Sequence, residues 1–405
     1  MAGKINLTVF KKFFRSGATG GVLLLFCVLI SLIIANTSWR DGFQNLLNTE
    51  IGFSNSWIQL RYTALLWIND GLMAIFFLLV GLEIKRELME GELSTPKRAL
   101  LPVFAAFGGA ILPALIYTYF NINTTTEPGW GIPMATDIAF ALGVLSLLGK
   151  KAPVSLKIFL AALAIVDDLI AILVIAFFYS ANVHFNYLLY AGIVFALMIV
   201  LNRLKVKHLL LYLIPGVVLW YLIHHSGIHA TIAGVLTAMT IPTTRDATES
   251  PLEKLEHALA NPVNFIIMPV FALANTNISF ESGMADGLVS DLGLGILIGL
   301  FLGKPVGITL MSWLIVKLGW GTLPNKANWK HILGIGLLGG IGFTMSIFIA
   351  LLSFGDPLLQ TESKFAILVT STLSGVCGFL VLRIINTKEK NKAMQTTEGD
   401  RDEDE

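Results

Sequence analysis

Apolar positions in this chain fall in long unbroken runs, not in the one-face-of-a-helix or every-second-residue patterns of a water-facing fold. Twelve runs recur, at about 17–36, 64–84, 99–120, 128–148, 154–179, 185–201, 208–223, 227–242, 262–280, 292–316, 331–352 and 364–386. Each is close to the ~20 residues a helix needs to cross ~30 Å of hydrocarbon. The pattern predicts an all-α polytopic membrane protein of twelve transmembrane helices, with residues 1–386 as one membrane unit and no soluble domain between the runs. The first run follows Lys4, Lys11, Lys12 and Arg15, as a signal peptide would, but continues into Asn36-Thr37-Ser38-Trp39 without a small-residue cleavage motif. It is expected to stay as the first helix. In the long connection 37–63, Ile51 to Tyr62 carries strand-forming residues around a Ser-Asn-Ser turn, which predicts a short β-hairpin. From Thr387 the chain mixes Lys388, Lys390 and Lys392 with an acidic end at Asp400 to Glu405, and 387–405 is expected to be a disordered, charged tail.

Composition agrees and narrows the class. Hydrophobic residues are 55% of the 405 and charged residues only 14%, against roughly 25% charged in soluble chains. Most of the outer surface therefore faces lipid. A net charge of +1 gives no broad basic footprint for nucleic acid. Cys27 and Cys377 lie far apart in apolar runs and supply neither a disulfide framework nor a thiolate metal cluster. Charge does set the orientation. With twelve crossings and a cytoplasmic N-terminus, every lysine and arginine except Arg40, Arg61, Lys364 and Lys304 falls in cytoplasmic segments or at their helix ends. That asymmetry is the one expected of cytoplasmic loops, and it predicts both termini inside.

Five charges remain within the apolar runs: Asp70, Asp137, Asp167, Asp168 and Lys304. Each costs about 2.5–3.5 kcal/mol near a helix centre on insertion scales. Simple counting puts Asp167, Lys304 and Asp137 at mid-depth in separate segments, which suggests one shared polar site, while Asp70 lies nearer the external end of its helix. A structural ion pair that fixes helix packing is the bland reading for Asp137 or Lys304 alone. It fits Asp167 and Asp168 poorly, because neighbours on a helix point about 100° apart and one lysine cannot easily satisfy both. Two adjacent carboxylates in a low dielectric cannot both carry charge cheaply. Such a pair binds either a hard cation or protons, and so can exchange one for the other.

The backbone around these residues is interrupted. Pro128, Gly129, Gly131 and Pro133 break helical hydrogen bonding just before Asp137. Gly334, Gly336, Gly339, Gly340 and Gly342 crowd the middle of 331–352; close helix packing is the alternative for these glycines. Broken helices expose positive N-terminal and negative C-terminal ends at mid-membrane, where an acid (Asp137) and a base (Lys304) can neutralise them. The two interrupted segments, fourth and eleventh, are each the middle of a three-segment group. Seven positions separate the groups, so they have opposite topology, and Thr136 to Phe140 loosely matches Thr344 to Phe348. Inverted-topology repeats with discontinuous helices are a design of secondary transporters.

The motifs resemble those of the NhaA family of bacterial Na⁺/H⁺ antiporters, itself a standard case of that design. The likeness runs to about residue 385 and includes LLWINDGLMAIFFLLVGLEIKREL (65–88), IPMATDIAFALGVL (132–145), LKIFLAALAIVDDL (156–169), SGIHATIAG (226–234), LEH (255–257), GKPVG (303–307) and GGIGFTMSIFIA (339–350). It implies fourth and eleventh segments that cross as unwound chains. It also implies electrogenic exchange of cytoplasmic Na⁺ or Li⁺ for more than one external proton, without a cofactor, in the inner membrane. Asp167 and Asp168 would form the cation and proton site, with Asp168 the principal Na⁺ ligand and Thr136 and Asp137 beside it. Asp137 would balance the helix ends, Lys304 would pair with Asp167 when no sodium is bound, and Asp70 would line an external funnel. Glu83, Arg86, Glu87, Glu256 and His257 match a cytoplasmic cluster that senses pH in the family; solvated helix-end charge is the alternative for each. Ala260 stands near where some relatives carry a second histidine, and His229 matches the family but reads equally as a packed side chain. The stretch 51–62 corresponds to the hairpin through which family members form homodimers.

Other classes fit less well. The Gly-x-Gly-Asp signature of intramembrane aspartyl proteases is absent, and Asp167-Asp168 continues as Leu-Ile-Ala-Ile rather than as an Asp-rich Mg²⁺ motif. No Ser/His or zinc-ligand pattern appears, so an enzyme is not expected. A passive cation channel would be expected to show a ring of charge or a carbonyl filter.

Overall fold

The computed structural model describes residues 7–402 apart from 56–58, 150–151, 181–182, 244–249 and 281–283, with side chains placed between residues 20 and 387. It is mainly helical. The chain forms α1 (Leu7–Ala35), α2 (Arg40–Asn48), the strands β1 (Glu50–Ile51) and β2 (Tyr62–Thr63), α3 (Ala64–Leu66), α4 (Met73–Met89), α5 (Pro96–Asn121) and α6 (Ile138–Leu147). It continues through α7 (Val154–Phe178), α8 (Phe185–Arg203), α9 (Leu210–His225), α10 (Ile232–Thr240), α11 (Pro251–Pro262) and α12 (Met268–Asn275). The last elements are α13 (Asp291–Ile298), α14 (Lys304–Lys317), α15 (Trp329–Gly339), α16 (Phe343–Ser353) and α17 (Pro357–Asp402). Wider π-type turns join α3 to α4 (Trp67–Leu72), α11 to α12 (Val263–Ile267) and α13 to α14 (Gly299–Gly303).

Among the described residues, eight helical runs are long and apolar enough to cross a membrane, and up to ten if each of two bent pairs is one span. Length and composition thus make the chain an all-α polytopic membrane protein. Two of the expected runs, 208–223 and 227–242, become α9 and α10, shorter than a full crossing by this measure. The chain turns between them at Gly227, whose φ of +84° favours glycine. The connection 37–63 holds an element that hydropathy did not predict: α2 leaves α1 at 111°. Further on, β1 pairs antiparallel with β2, Glu50 opposite Thr63, and Ser54 bridges Gln59; the tip at 56–58 lies outside the described residues. From Thr387, where the charged tail is expected, the backbone continues α17 to Asp402. No proline or glycine interrupts 387–397, and its lysines, glutamate, alanine and methionine are good helix formers; residues 403–405 lie outside the described part.

Burial identifies the centre. In the most apolar stretch of α7, 78% of residues are buried, against 11% in α8, so α7 runs through the middle and α8 faces outward. Phe77 of α4, Phe271 of α12 and Phe348 of α16 converge beside it, with Phe77 and Phe348 ring centroids 5.5 Å apart. Helices α5 and α14 press together through glycine. A Cβ on Gly108 would strike the Gly307 carbonyl, and one on Gly307 would strike that of Gly108. Lipid gives helices no hydrophobic reason to associate, so this close backbone approach is what holds α14, and Lys304 at its start, against the interior.

Candidate functional site

Two interruptions face each other in the interior. In the first, a 3₁₀ helix (Glu127–Met134) containing Pro133 gives way to non-helical backbone at 135–137, and α6 then starts at Ile138. In the second, α15 ends at Gly339 and α16 starts at Phe343, the two meeting at 47°. The chains touch through the backbone, Asp137 N–H donating to the Ile341 carbonyl at 2.7 Å. Asp137 then serves both new helices. Its Oδ1 caps α6 by accepting from Phe140 N–H at 3.0 Å, and its Oδ2 accepts from Thr344 N–H at 3.2 Å and Thr344 Oγ1–H at 2.5 Å in the first turn of α16. One carboxylate thus sits at two positive helix ends, the favourable place for negative charge.

The opposite ends carry free carbonyls, and Lys304 answers one of them. This side chain is fully buried. Its Nζ donates to the Met134 carbonyl, the last of the 3₁₀ helix, and pairs with Asp167 Oδ2 at 2.5 Å. Thr136 Oγ1 lies 2.5 Å from the same Asp167 oxygen and 2.8 Å from the Gly339 carbonyl. A hydroxyl has one proton, so Thr136 donates to one of these at a time.

Asp167 and Asp168 project from α7, a helix without proline or glycine that presents them rigidly. Both are 2% exposed. Asp167 Oδ1 and Asp168 Oδ1 are buried and have no hydrogen-bond partner. Buried polar atoms are almost always satisfied, so two orphan acceptors on adjacent residues call for a donor or a cation. A set of carboxylate and carbonyl oxygens suits a hard cation. A cavity reaches this spot and is lined by Glu83, Thr136, Asp137, Asp168, Asn264 and Thr344. Three sequence-selected residues (Thr136, Asp167, Lys304) therefore share one bonded network, Asp137 next to Thr136 in the chain caps the neighbouring helix ends, and Asp168 stands on the cavity wall.

The other selected residues lie toward the two ends of α4. At one end, Arg86 Nε meets Glu256 Oε2 at 3.0 Å, Arg86 Nη2 meets Glu87 Oε1 at 3.4 Å, and Glu87 Oε2 accepts from Glu92 N–H. Glu83 lines the cavity, and His257 is exposed on α11 beside Glu256. At the other end Asp70 is half-buried and paired with His224 at 3.1 Å. His229 is held by the Tyr179 carbonyl at 2.7 Å. Residue-by-residue reading passed over Thr344, Lys85 and His224. The Thr136 to Phe140 match pointed at Thr344, and two consecutive histidines at a helix end marked His224. Lys85, which donates to the Met239 and Ile241 carbonyls at the end of α10, left no signal beyond being a cation in a long apolar helix.

The sequence matches the family described as Na⁺/H⁺ antiporter 1 over residues 11–382. It is 66% identical to Na⁺/H⁺ antiporter NhaA 2 of Flavobacterium johnsoniae over 98% of this chain and 96% of that one. It is 49% identical to Na⁺/H⁺ antiporter NhaA of Flavobacterium psychrophilum, covering 95% and 98%, and 49% identical to that of Brucella ovis, covering 93% and 95%. With a match along almost its whole length and relatives this close, the chain belongs to the Na⁺/H⁺ antiporter 1 family.

Proposed function

We propose that this protein is a secondary active antiporter that exchanges cytoplasmic Na⁺ or Li⁺ for external protons, and that it is a transporter, not an enzyme. The observation that carries this reading is the pair of orphan carboxylate oxygens on Asp167 and Asp168, buried beside Lys304 where two interrupted helices meet. A cation arriving through the cavity takes the Asp168 oxygens and the free oxygen of Asp167. Its charge competes with the Lys304 ammonium for Asp167, so loading loosens that pair and expels protons held by the site. Protons returning from the other side discharge the cation by the reverse competition. Because the two cargoes use the same oxygens, they cross alternately, and exchange of more than one proton per sodium makes the cycle electrogenic. Na⁺ and Li⁺ are the substrates, and no cofactor enters the cycle.

The membrane arrangement that serves this cycle has twelve crossings, with α9 and α10 counted as spans and both termini in the cytoplasm of a bacterial inner membrane. The segments around Asp137 and Gly339–Phe343 are then the discontinuous middles of two inverted repeats. The strand pair at Glu50–Thr63 is an external hairpin suited to joining two copies in a homodimer. Glu83, Arg86, Glu87, Glu256 and His257 form the cytoplasmic entrance that sets activity by pH, and Asp70 lines the outer funnel.

Everted membrane vesicles holding this protein, acidified by respiration, test the reading. Added NaCl or LiCl collapses the pH gradient and KCl does little, whereas Asp168→Asn abolishes the response. Equal responses to Na⁺ and K⁺, or full Na⁺-dependent proton movement in Asp168→Asn, would reject it. A passive channel would conduct Na⁺ without moving protons.

A further inference from the structure

The end of α4 away from the acidic and basic cluster holds a second group of titratable side chains. Asp70 Oδ2 lies 3.1 Å from His224 Nδ1, and both side chains are mostly withdrawn from solvent, at 19% and 18% exposure. The imidazole is held on two sides. Trp220 stacks on it with centroids 5.8 Å apart, and Tyr62 of β2 meets it edge-on at 4.9 Å. Trp220 also donates to the Asp70 carbonyl at 3.3 Å and stacks on Trp67, which in turn donates to the Ile51 carbonyl of β1. The groups facing His224 are Asp70 from the turn before α4, Tyr62 from β2, Tyr221 and His225 from α9, and His229 beyond it. Tyr62 Oη lies 3.5 Å from His225 Nε2, and the His225 ring packs on Tyr221. Asp70 is the acid of this group, and His224 is the base bonded to it.

We propose that His224 is a positioning residue for transport: it is the proton-operated counter-ion of Asp70 at the outer mouth. The inference rests on the antiporter reading and on its orientation. Histidine is the side chain whose charge ordinarily changes between pH 5 and 8. Neutral His224 donates Nδ1–H to Asp70 and leaves the carboxylate's full negative charge at the mouth, where it draws external cations. Protonated at Nε2, His224 keeps that hydrogen bond, gains favour from the face of Trp220, and cancels the charge. External acid thereby lowers the local cation concentration before any proton reaches Asp168. Coupling between sites of this kind is typically five- to 150-fold, and the partial exposure of this pair places it at the low end.

The test uses the full chain in proteoliposomes of one orientation with internal pH clamped. It reads the external Na⁺ concentration giving half-maximal exchange at external pH 5.5 and 7.5. In the unmodified chain that concentration rises on acidification through two contributions, proton competition at Asp168 and the mouth. His224→Gln removes the second, and the ratio between the two pH values falls about fivefold. His224→Lys fixes the mouth in its acid form, so the ratio falls by the same factor while the concentration at pH 7.5 rises. In Asp70→Asn and in the double variant Asp70→Asn/His224→Gln the ratio falls by the same factor as in His224→Gln. A merely structural histidine would change both pH values equally, so an unchanged ratio in His224→Gln overturns the proposal. Absence of Na⁺-driven exchange in the unmodified chain would instead reject the antiporter reading.

Discussion

Asp137 and Asp168 have the same chemistry and the same 2% exposure, yet replacing each by asparagine is expected to have opposite effects on stability. Both Asp137 oxygens are in use. In Asp137→Asn the side chain has one acceptor oxygen and one NH₂ group, so whichever way the amide lies, either Phe140 N–H or Thr344 N–H faces a donor. Leaving one buried N–H unsatisfied costs about 1–3 kcal/mol. Losing the negative charge between two helix N-termini costs up to ~2 kcal/mol more for each buried end. The sum is a destabilisation of about 1–7 kcal/mol. Asp168→Asn removes a buried charge and breaks no hydrogen bond to its Oδ1, so it is expected to leave stability unchanged or raised while ending transport. Thermal unfolding of the purified variants in detergent, followed by tryptophan fluorescence and by the monodisperse fraction after heating, separates the two. Equal melting of Asp137→Asn and the unmodified chain would refute the two-helix cap, as would an equal loss in both variants.

Three further outcomes follow from the same geometry. Lys304→Met leaves Asp167 buried without its counter-ion and is expected to cost about 3–5 kcal/mol; adding Asp167→Asn recovers most of that melting temperature without restoring Na⁺-driven proton movement. Gly108→Ala drives a Cβ into the Gly307 carbonyl and costs about 1–3 kcal/mol as α5 and α14 are forced apart. It is read as a lower melting point and a smaller monodisperse fraction, whereas Gly42→Ala, with open space at its Cβ, has no such effect. Lys85→Met removes two hydrogen bonds to carbonyls at the end of α10, each worth about 1.5–3 kcal/mol with a charged donor. Faster amide exchange confined to the end of α10 is the expected signature.

The parts of this molecule that are expensive in lipid were the parts legible in its sequence. A charge inside an apolar run stands out because so little else there is polar, and counting to mid-depth selected Asp167 and Lys304, which the fold pairs, and Asp137, which it sets at the helix ends next to Thr136. Proline and glycine likewise marked the places where 127–137 and 339–343 leave the helix. Partners chosen by three-dimensional approach left weaker traces. Thr344 is a common residue in an apolar helix, and only its distance from Asp137 in space gives it a role. The Asp70–His224 pair joins positions on separate helices with nothing in either local sequence to name the other. Helix α2 escaped hydropathy because nine mixed residues, Arg40–Asn48, do not form an apolar run.

The cap shared by α6 and α16 also constrains how the protein is made. Asp137 and Thr344 are 207 residues apart in the chain. At a synthesis rate of about 5–20 residues per second, roughly 10 to 40 s separate the emergence of one from that of the other. During that interval the fourth hydrophobic run is already made, with a carboxylate that has a partner at α6 and none at α16, and a stretch of backbone at 135–137 whose polar groups await Ile341 and Gly339. The half-made protein therefore has a costly, water-seeking seam at its centre. Closure of that seam waits for the eleventh run, which makes the C-terminal third the part whose truncation exposes the early helices to quality control.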